Sequence, residues 1–218
     1  MDYAAARARM VEEQIEARGV REERVLEAMR RVPRHLFVTE ALRERAYDDT
    51  PLPISERQTI SQPYMVALMA EALELEEGAR VLEVGTGSGY EAAVLAELCA
   101  DLYSVERIPA LAERARRLLE SLGYRNVHIR VGDGSLGWPQ AAPFVGIVVS
   151  AAAPRIPRPL VEQLAMGGRL VLPLGEEEGQ TLVRLRKTAE GLREECMGEC
   201  RFVKLIGTYG WMGREEGQ

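Results

Sequence analysis

The stretch Val81–Tyr90, VLEVGTGSGY, most constrains how this chain can fold. A short apolar run, Val81-Leu82-Glu83-Val84, breaks into Gly85-Thr86-Gly87-Ser88-Gly89, and helix-forming residues follow from Glu91 to Cys99. That order predicts a buried strand, a tight glycine turn and a helix. Glycines permit positive φ and let a ligand approach the backbone closely. A helix start behind them presents free N–H groups and a positive dipole end.

The glycine spacing narrows the ligand. The dinucleotide fingerprint is G-x-G-x-x-G or G-x-G-x-x-A. Here the glycines fall at 85, 87 and 89, and Tyr90 holds the last fingerprint position, where a bulky ring replaces a packing glycine. There is no G-x-x-x-x-G-K-[ST] segment, which argues against a triphosphate loop. Glu83 precedes the first glycine; it would repel a pyrophosphate and suits a cationic amino group. Glu106 ends the next apolar run, 21 residues beyond Gly85, and suits a ribose diol. Asp133 sits in Val131-Gly132-Asp133-Gly134 after a third strand. Carboxylates at three successive strand ends fit a ligand with an amino acid, a ribose and an adenine, as S-adenosylmethionine has. The bland alternative is a nucleotide-type fold with incidental acids.

Strands and helices alternate through the core. Strands are predicted at 80–84, 102–106, 126–131, 144–150 and 169–174, with helices at 88–99, 108–122 and 158–165. Phe144–Ser150, FVGIVVS, reads as a fully buried parallel strand, and Ala151-Ala152-Ala153-Pro154 as a small-residue loop where ligands sit in open α/β sheets. Two late strands, about 181–187 and 199–206, have no helix between them and predict an antiparallel edge hairpin. The tail from Gly210 is polar and expected to be mobile.

Ahead of this core, residues 3–18 and 21–32 read as helices, stopped by Gly19 and Pro33. His35, beside Leu36 and Phe37, reads as structural. Residues 46–58 form a loop with Pro51 and Pro53. A further helix begins near Pro63 and runs to about Leu75. Ser61 reads equally as its N-cap or as a hydroxyl that holds an anion. The first sixty residues are a candidate lid over the crevice.

Bulk properties exclude several classes. The length of 218 residues suits one α/β domain, and 46% apolar content supplies a core. A net charge of −6 and no long basic run disfavour a nucleic-acid surface. No apolar run of transmembrane length and no signal-peptide pattern are present, so a cytoplasmic protein without membrane association is expected. Cys99, Cys196 and Cys200 are odd in number, and His35 and His128 lie far apart, so neither a disulfide framework nor a metal site is expected. The thiols are expected to be buried or neutral. A monomer is the working expectation.

Together these segments resemble the protein-L-isoaspartate O-methyltransferase family. The resemblance covers roughly residues 10–206. It rests on RVPRHLFV (31–38), AYDDTPLPI (46–54), QTISQPYMVALM (58–69), VLEVGTGSGYEAAVLAEL (81–98), GDGSLGWPQAAPF (132–144) and GGRLVLPLG (167–175). The glycine loop alone would imply only a class I methyltransferase; QTISQPY with RVPRHLFV and AYDDTPLPI is more specific. The resemblance implies an α/β fold: a Rossmann-like, seven-stranded, mostly parallel, doubly wound sheet with an N-terminal helical extension (1–60), a cofactor-binding core (61–208) and a polar tail (209–218). It implies methylation of the α-carboxylate of L-isoaspartyl residues in aged proteins and peptides, with S-adenosylmethionine as donor and S-adenosylhomocysteine as product.

By the same resemblance Ser61 is the active-site residue, with Thr59, Ile60 and Val203 near the peptide. Glu83 and Gly85, Thr86, Gly87, Ser88 and Gly89 face the methionine part of the cofactor. Glu106 and Arg107 lie at the ribose, and Asp133 and Gly134 at the adenine. The chain departs from the family pattern in three places. Ser55-Glu56-Arg57 stand where glycines usually precede Q-T-I-S, Val145 replaces an Asp, and Lys204 replaces a Pro. Alternatives are a same-fold methyltransferase acting on another carboxylate, an NAD-dependent oxidoreductase, and a cofactor-binding module without catalysis.

Overall fold

The computed structural model of the chain describes residues 1–176 and 179–212. The first helix, α1 (Tyr3–Arg9), starts at Asp2, whose Oδ1 accepts the N–H groups of Ala4 and Ala5 at 3.0 and 3.1 Å. It does not run evenly to residue 18. The winding widens to a π-helix over Met10–Ile15, tightens to a 3-10 turn, and stops at Gly19 with φ 103°. Helix α2 (Glu23–Arg31) follows, capped by the Glu22 side chain on Val25 N–H. Strands β1 (Leu52–Pro53) and β2 (Thr59–Ile60) pair antiparallel across the 54–58 loop and deliver the chain to α3 (Pro63–Ala72).

The expected alternation then appears as β3 (Arg80–Val84), α4 (Tyr90–Ala96), β4 (Asp101–Glu106), α5 (Pro109–Ser121), β5 (Val127–Val131), β6 (Phe144–Val149), α6 (Arg158–Gln163) and β7 (Leu164–Glu176). Strands β8 (Gly179–Thr188) and β9 (Gly191–Cys200) complete a seven-stranded sheet of order β5-β4-β3-β6-β7-β8-β9. The first five strands in that order are parallel, and β8 and β9 are antiparallel. The chain reverses direction across the sheet between β3 and β6. Ligands bind at the carboxyl ends of strands flanking such a switch point.

Strand periodicity divides the core in two. Val81 and Leu102 face one side, and Leu82, Val84 and Val105 face the other. The first side forms one continuous cluster with Met10, Val11, Ile15, Leu26 and Met29, all almost fully buried. The N-terminal extension is therefore packed into the same core as α3 and α4. His35 stacks on Tyr3 with centroids 4.0 Å apart, and its Nδ1 lies 2.8 Å from Tyr47 Oη, which fits the structural reading.

Two late boundaries differ from expectation. The last strand is Gly191–Cys200, not 199–206, because the Ala189-Glu190 turn pairs Thr188 with Gly191 at once. Its sequence, GLREECMGEC, is polar since an exposed edge strand needs no apolar face. Residues 201–206 instead cross the carboxyl end of β6. Ala152 N donates to Val203 O at 2.7 Å, and Leu205 N to Ala152 O at 2.8 Å. Gly210 and Trp211, expected to belong to a mobile tail, are instead tied down. Trp211 N donates to Leu205 O, and Trp211 Nε1 to Ala152 O at 3.1 Å. The remainder of the tail, 213–218, lies outside the described residues. Among the described residues, no helix is long and apolar enough to cross a membrane.

Cys99 and Cys200 are partly buried, and burial pushes their thiols up to about 12 and about 11. Cys196 is exposed, because it lies on the edge strand β9.

Candidate active site

A cavity of about 370 Å3 opens at the carboxyl ends of β3, β4 and β6. That is within the roughly 300–1,000 Å3 of small-molecule pockets. Gly85, Thr86, Gly87 and Ser88 line it from the turn after β3. Gly85 adopts φ 101°, a conformation L side chains rarely take, which lets the chain turn away directly after Val84. Gly89 is not on the wall. It serves packing, since a Cβ there would lie 3.2 Å from Ala115 Cβ on α5. The close helix contact that Tyr90 denies is thus made one residue earlier.

Glu106 and Arg107 line the cavity from the end of β4. Glu106 is 6% exposed, and its two oxygens accept Gly87 N and Ile108 N, both at 2.9 Å. It therefore clamps the glycine turn to the neighbouring strand. From the third strand end only Gly134 reaches the wall. Asp133 turns away and holds the chain's C-terminal segment. Its Oδ1 accepts Ser135 N and Oγ, and its Oδ2 accepts Thr208 N at 2.7 Å.

Glu83 does not face the ligand crevice as the sequence suggested. Strand alternation places it on the Val81 side, fully buried below the turn, where Ser104 Oγ donates to it. Thr86 Oγ1 lies 2.5 Å from the same Ser104 hydroxyl, so a buried polar chain runs from the glycine turn to Glu83. The acid that reaches the cavity from this side is Glu91, in the first turn of α4. Ser150, just after β6, donates to Glu91 Oε2 and also lines the cavity. Glu91 escaped the sequence reading because it carries no motif position; burial at a strand switch point is a tertiary property. Ser150 adjoins the small-residue loop already singled out.

Thr59, Ile60, Ser61 and Val203 close the cavity from the other side. Ser61 does not cap α3. Gln62 occupies the N-cap position and makes no side-chain cap bond. With Pro63 as the first helical residue, the cap position falls on residue 62, one residue beyond Ser61. A second cavity, of about 610 Å3, lies beyond this wall and is lined by Arg18, Tyr64, Met65, Leu68 and Phe202 among others. Thr59, Ser61, Ser150 and Val203 line both cavities. Ligands in the two would meet along the wall these four residues form.

Comparison with known proteins places this geometry. The family model described as protein-L-isoaspartate(D-aspartate) O-methyltransferase matches residues 5–210. Protein-L-isoaspartate O-methyltransferase 1 of Syntrophobacter fumaroxidans is 55% identical over 98% of this chain and 100% of its own length. The protein-L-isoaspartate O-methyltransferase of Geobacter metallireducens is 58% identical over 99% of this chain and all of its own. A solved protein-L-isoaspartate O-methyltransferase superposes with a TM-score of 0.85 at 31% identity, covering 94% of this chain and 67% of that one. A Plasmodium falciparum protein assigned to the same enzyme type, solved with S-adenosyl-L-homocysteine, superposes with a TM-score of 0.79 at 26% identity, covering 92% and 98%. With a glycine turn, a cavity at the switch point and relatives matching from end to end, this chain belongs to the protein-L-isoaspartate(D-aspartate) O-methyltransferase family.

Proposed function

We propose that the chain methylates the α-carboxylate of L-isoaspartyl residues in proteins and peptides, using S-adenosylmethionine. The observation that carries this reading is the position of Ser61, on the wall shared by the two cavities. The cofactor cavity suits a ligand with a nucleoside and a cationic end. It offers a glycine turn for close backbone approach, the Glu106 carboxylate on the β4 side, and the Glu91 carboxylate beneath. Each Glu106 oxygen keeps a lone pair beyond its backbone bond and can accept a ribose hydroxyl. The adenine side falls to Gly134 and Ile108 on the wall, with Asp133 supporting the segment behind. The larger groove, bordered by Tyr64, Phe202 and Arg18, suits an extended peptide.

S-Adenosylmethionine, when bound, supplies an electrophilic methyl group on a good leaving group. The accepting isoaspartyl carboxylate resembles a chain terminus, whose carboxyl titrates at about 3.3–3.7, and is ionised at neutral pH. No general base is needed. The residues of this chain have to orient and desolvate. Ser61 Oγ donates to one carboxylate oxygen and leaves the other toward the cofactor cavity. Thr59, Ile60 and Val203 hold the peptide around it. Such positioning supplies roughly 7–11 kcal/mol in favourable cases. Without the enzyme, the following backbone amide nitrogen then displaces methanol from the ester to close a succinimide, and water reopens the ring, part of it to normal aspartate.

The same reading takes residues 1–60 as an extension over a single methyltransferase domain, acting as a cytoplasmic monomer. Sedimentation of the purified chain tests the last point. The decisive assay is methyl transfer from labelled S-adenosylmethionine to two peptides that differ only in an isoaspartyl or aspartyl linkage. Strong preference for the isoaspartyl peptide is expected. Binding of cofactor without transfer to either peptide would move the substrate to a different carboxylate.

A further inference from the structure

Two carboxylates lie under the cofactor cavity with one oxygen each unused. Glu83 is fully buried and Glu91 is 7% exposed. Ser104 Oγ donates to Glu83 Oε2 and Ser150 Oγ to Glu91 Oε2. Among the described residues, Oε1 of each is buried and has no hydrogen-bond partner, and no cationic side chain pairs with either acid. An unpartnered buried carboxylate oxygen is costly. Glu91, unlike Glu83, lines the cavity.

We propose that Glu91 is the counter-charge for the cationic end of the bound cofactor, and that its carboxyl releases a proton to solvent when the cofactor binds. The inference rests on the S-adenosylmethionine reading and assigns a role that no motif position marks. No bond is made or broken except O–H, and the leaving proton goes to buffer.

The electrostatics agree with this geometry. Burial pushes the Glu91 carboxyl up to about 7, against the Ser150 hydrogen bond. Burial, and then the charge of Glu91, hold Glu83 well above the usual carboxylate range, against the Ser104 bond and with a further push from Glu106. Burial thus favours the neutral form of both acids, and Glu91 titrates near neutral pH. The charged groups around the pair are Glu106 at the end of β4, Arg107 and Lys204 on the cavity wall, and Arg34, whose guanidinium lies over the neighbouring Tyr90 ring. A fixed cation arriving at Oε1 would favour the ionised form, as any opposite charge at close range does.

The test is calorimetric binding of S-adenosylhomocysteine to the full chain in two buffers of different ionisation enthalpy, at pH 6.5 and 8.5. Wild type should release about 0.75 proton at pH 6.5 and far less at pH 8.5. Glu91→Gln, which keeps the side-chain shape, should release none and bind S-adenosylhomocysteine roughly tenfold or more weakly. 5′-Methylthioadenosine, with neither ammonium nor sulfonium, should bind both proteins alike without proton release. Release with S-adenosylhomocysteine assigns the ammonium; release with S-adenosylmethionine alone assigns the sulfonium. Binding of S-adenosylhomocysteine and S-adenosylmethionine to wild type without proton release overturns the inference and leaves the methyltransferase reading standing. So does equal release with 5′-methylthioadenosine or from Glu91→Gln. Failure of wild type to bind any of these ligands overturns both. Wild-type proton counts decide the matter even if the variant does not fold.

Discussion

The guanidinium of Arg34 donates from Nη2 to the main-chain carbonyl of Ser61 at 2.8 Å, and from Nε to that of Ala46 at 2.7 Å. Arg34 is fully buried, with its guanidinium 4.7 Å from the Tyr90 ring centroid. Burial lowers its pKa to about 10, so it remains charged at neutral pH. One cation thus ties the turn after α2, the 46–58 loop and the Ser61 backbone together. Replacing it with Met removes two charge-assisted bonds and should cost about 3 kcal/mol or more. Turnover should fall further than S-adenosylhomocysteine affinity, and Arg34→Lys should recover part of it. Denaturant midpoints, kcat and calorimetric affinity measure the three; equal losses of turnover and affinity would deny Arg34 a role in positioning Ser61.

Ser61→Ala should separate chemistry from stability. Because Ser61 caps no helix, its loss should change stability by no more than about 0.5 kcal/mol. Cofactor binding should persist while kcat for the isoaspartyl peptide falls. Unchanged turnover would remove the hydroxyl from the reaction.

Asp133 is expected to act through the C-terminal segment. Burial alone would raise its pKa, but hydrogen bonds from Ser135 and Thr208 outweigh it and hold the carboxyl below its ordinary value. A depressed folded pKa contributes stability above the unfolded value of about 3.9, which is lost as pH falls through the folded one. Asp133→Asn should therefore be less stable than wild type at pH 7, with the gap closing below about pH 4. Thermal melts of both proteins across that range check it. Cofactor affinity should weaken as well, because 203–206 lines the cavity and is held through Thr208.

The 55–57 loop carries local strain. Exposed Glu56 and Arg57 adopt φ 57° and 55°, and Arg57 stands where the family pattern has a glycine. The left-handed region costs a non-glycine residue about 1–2 kcal/mol, and glycine's looser unfolded chain returns part of that. Glu56→Gly or Arg57→Gly should raise stability by about 0.5–1 kcal/mol. The melting temperature measures it, and a parallel change in peptide KM would tie the loop to substrate access.

The glycine turn shows how far local sequence reaches. Val81–Val84 followed by alternating glycines determined strand, turn and helix, because φ freedom and apolar burial are properties of the residues themselves. The 21-residue spacing to Glu106 placed a carboxylate on the cavity wall for the same reason: regular βα units have nearly fixed lengths. The edge strand Gly191–Cys200 was illegible, since an exposed polar strand leaves no apolar pattern. Ser61, Glu83 and Asp133 mark the boundary. Their residue types announced chemistry, but which carboxylate faces the cavity depends on strand alternation and on a crossing segment more than seventy residues away in the chain. Sequence set the parts and their order through local conformational preference. Only tertiary packing decided that Glu83 lies buried, that Asp133 braces the C-terminal segment, and that Ser61 stands between two cavities, because burial and juxtaposition are created by long-range contacts that no local stretch contains.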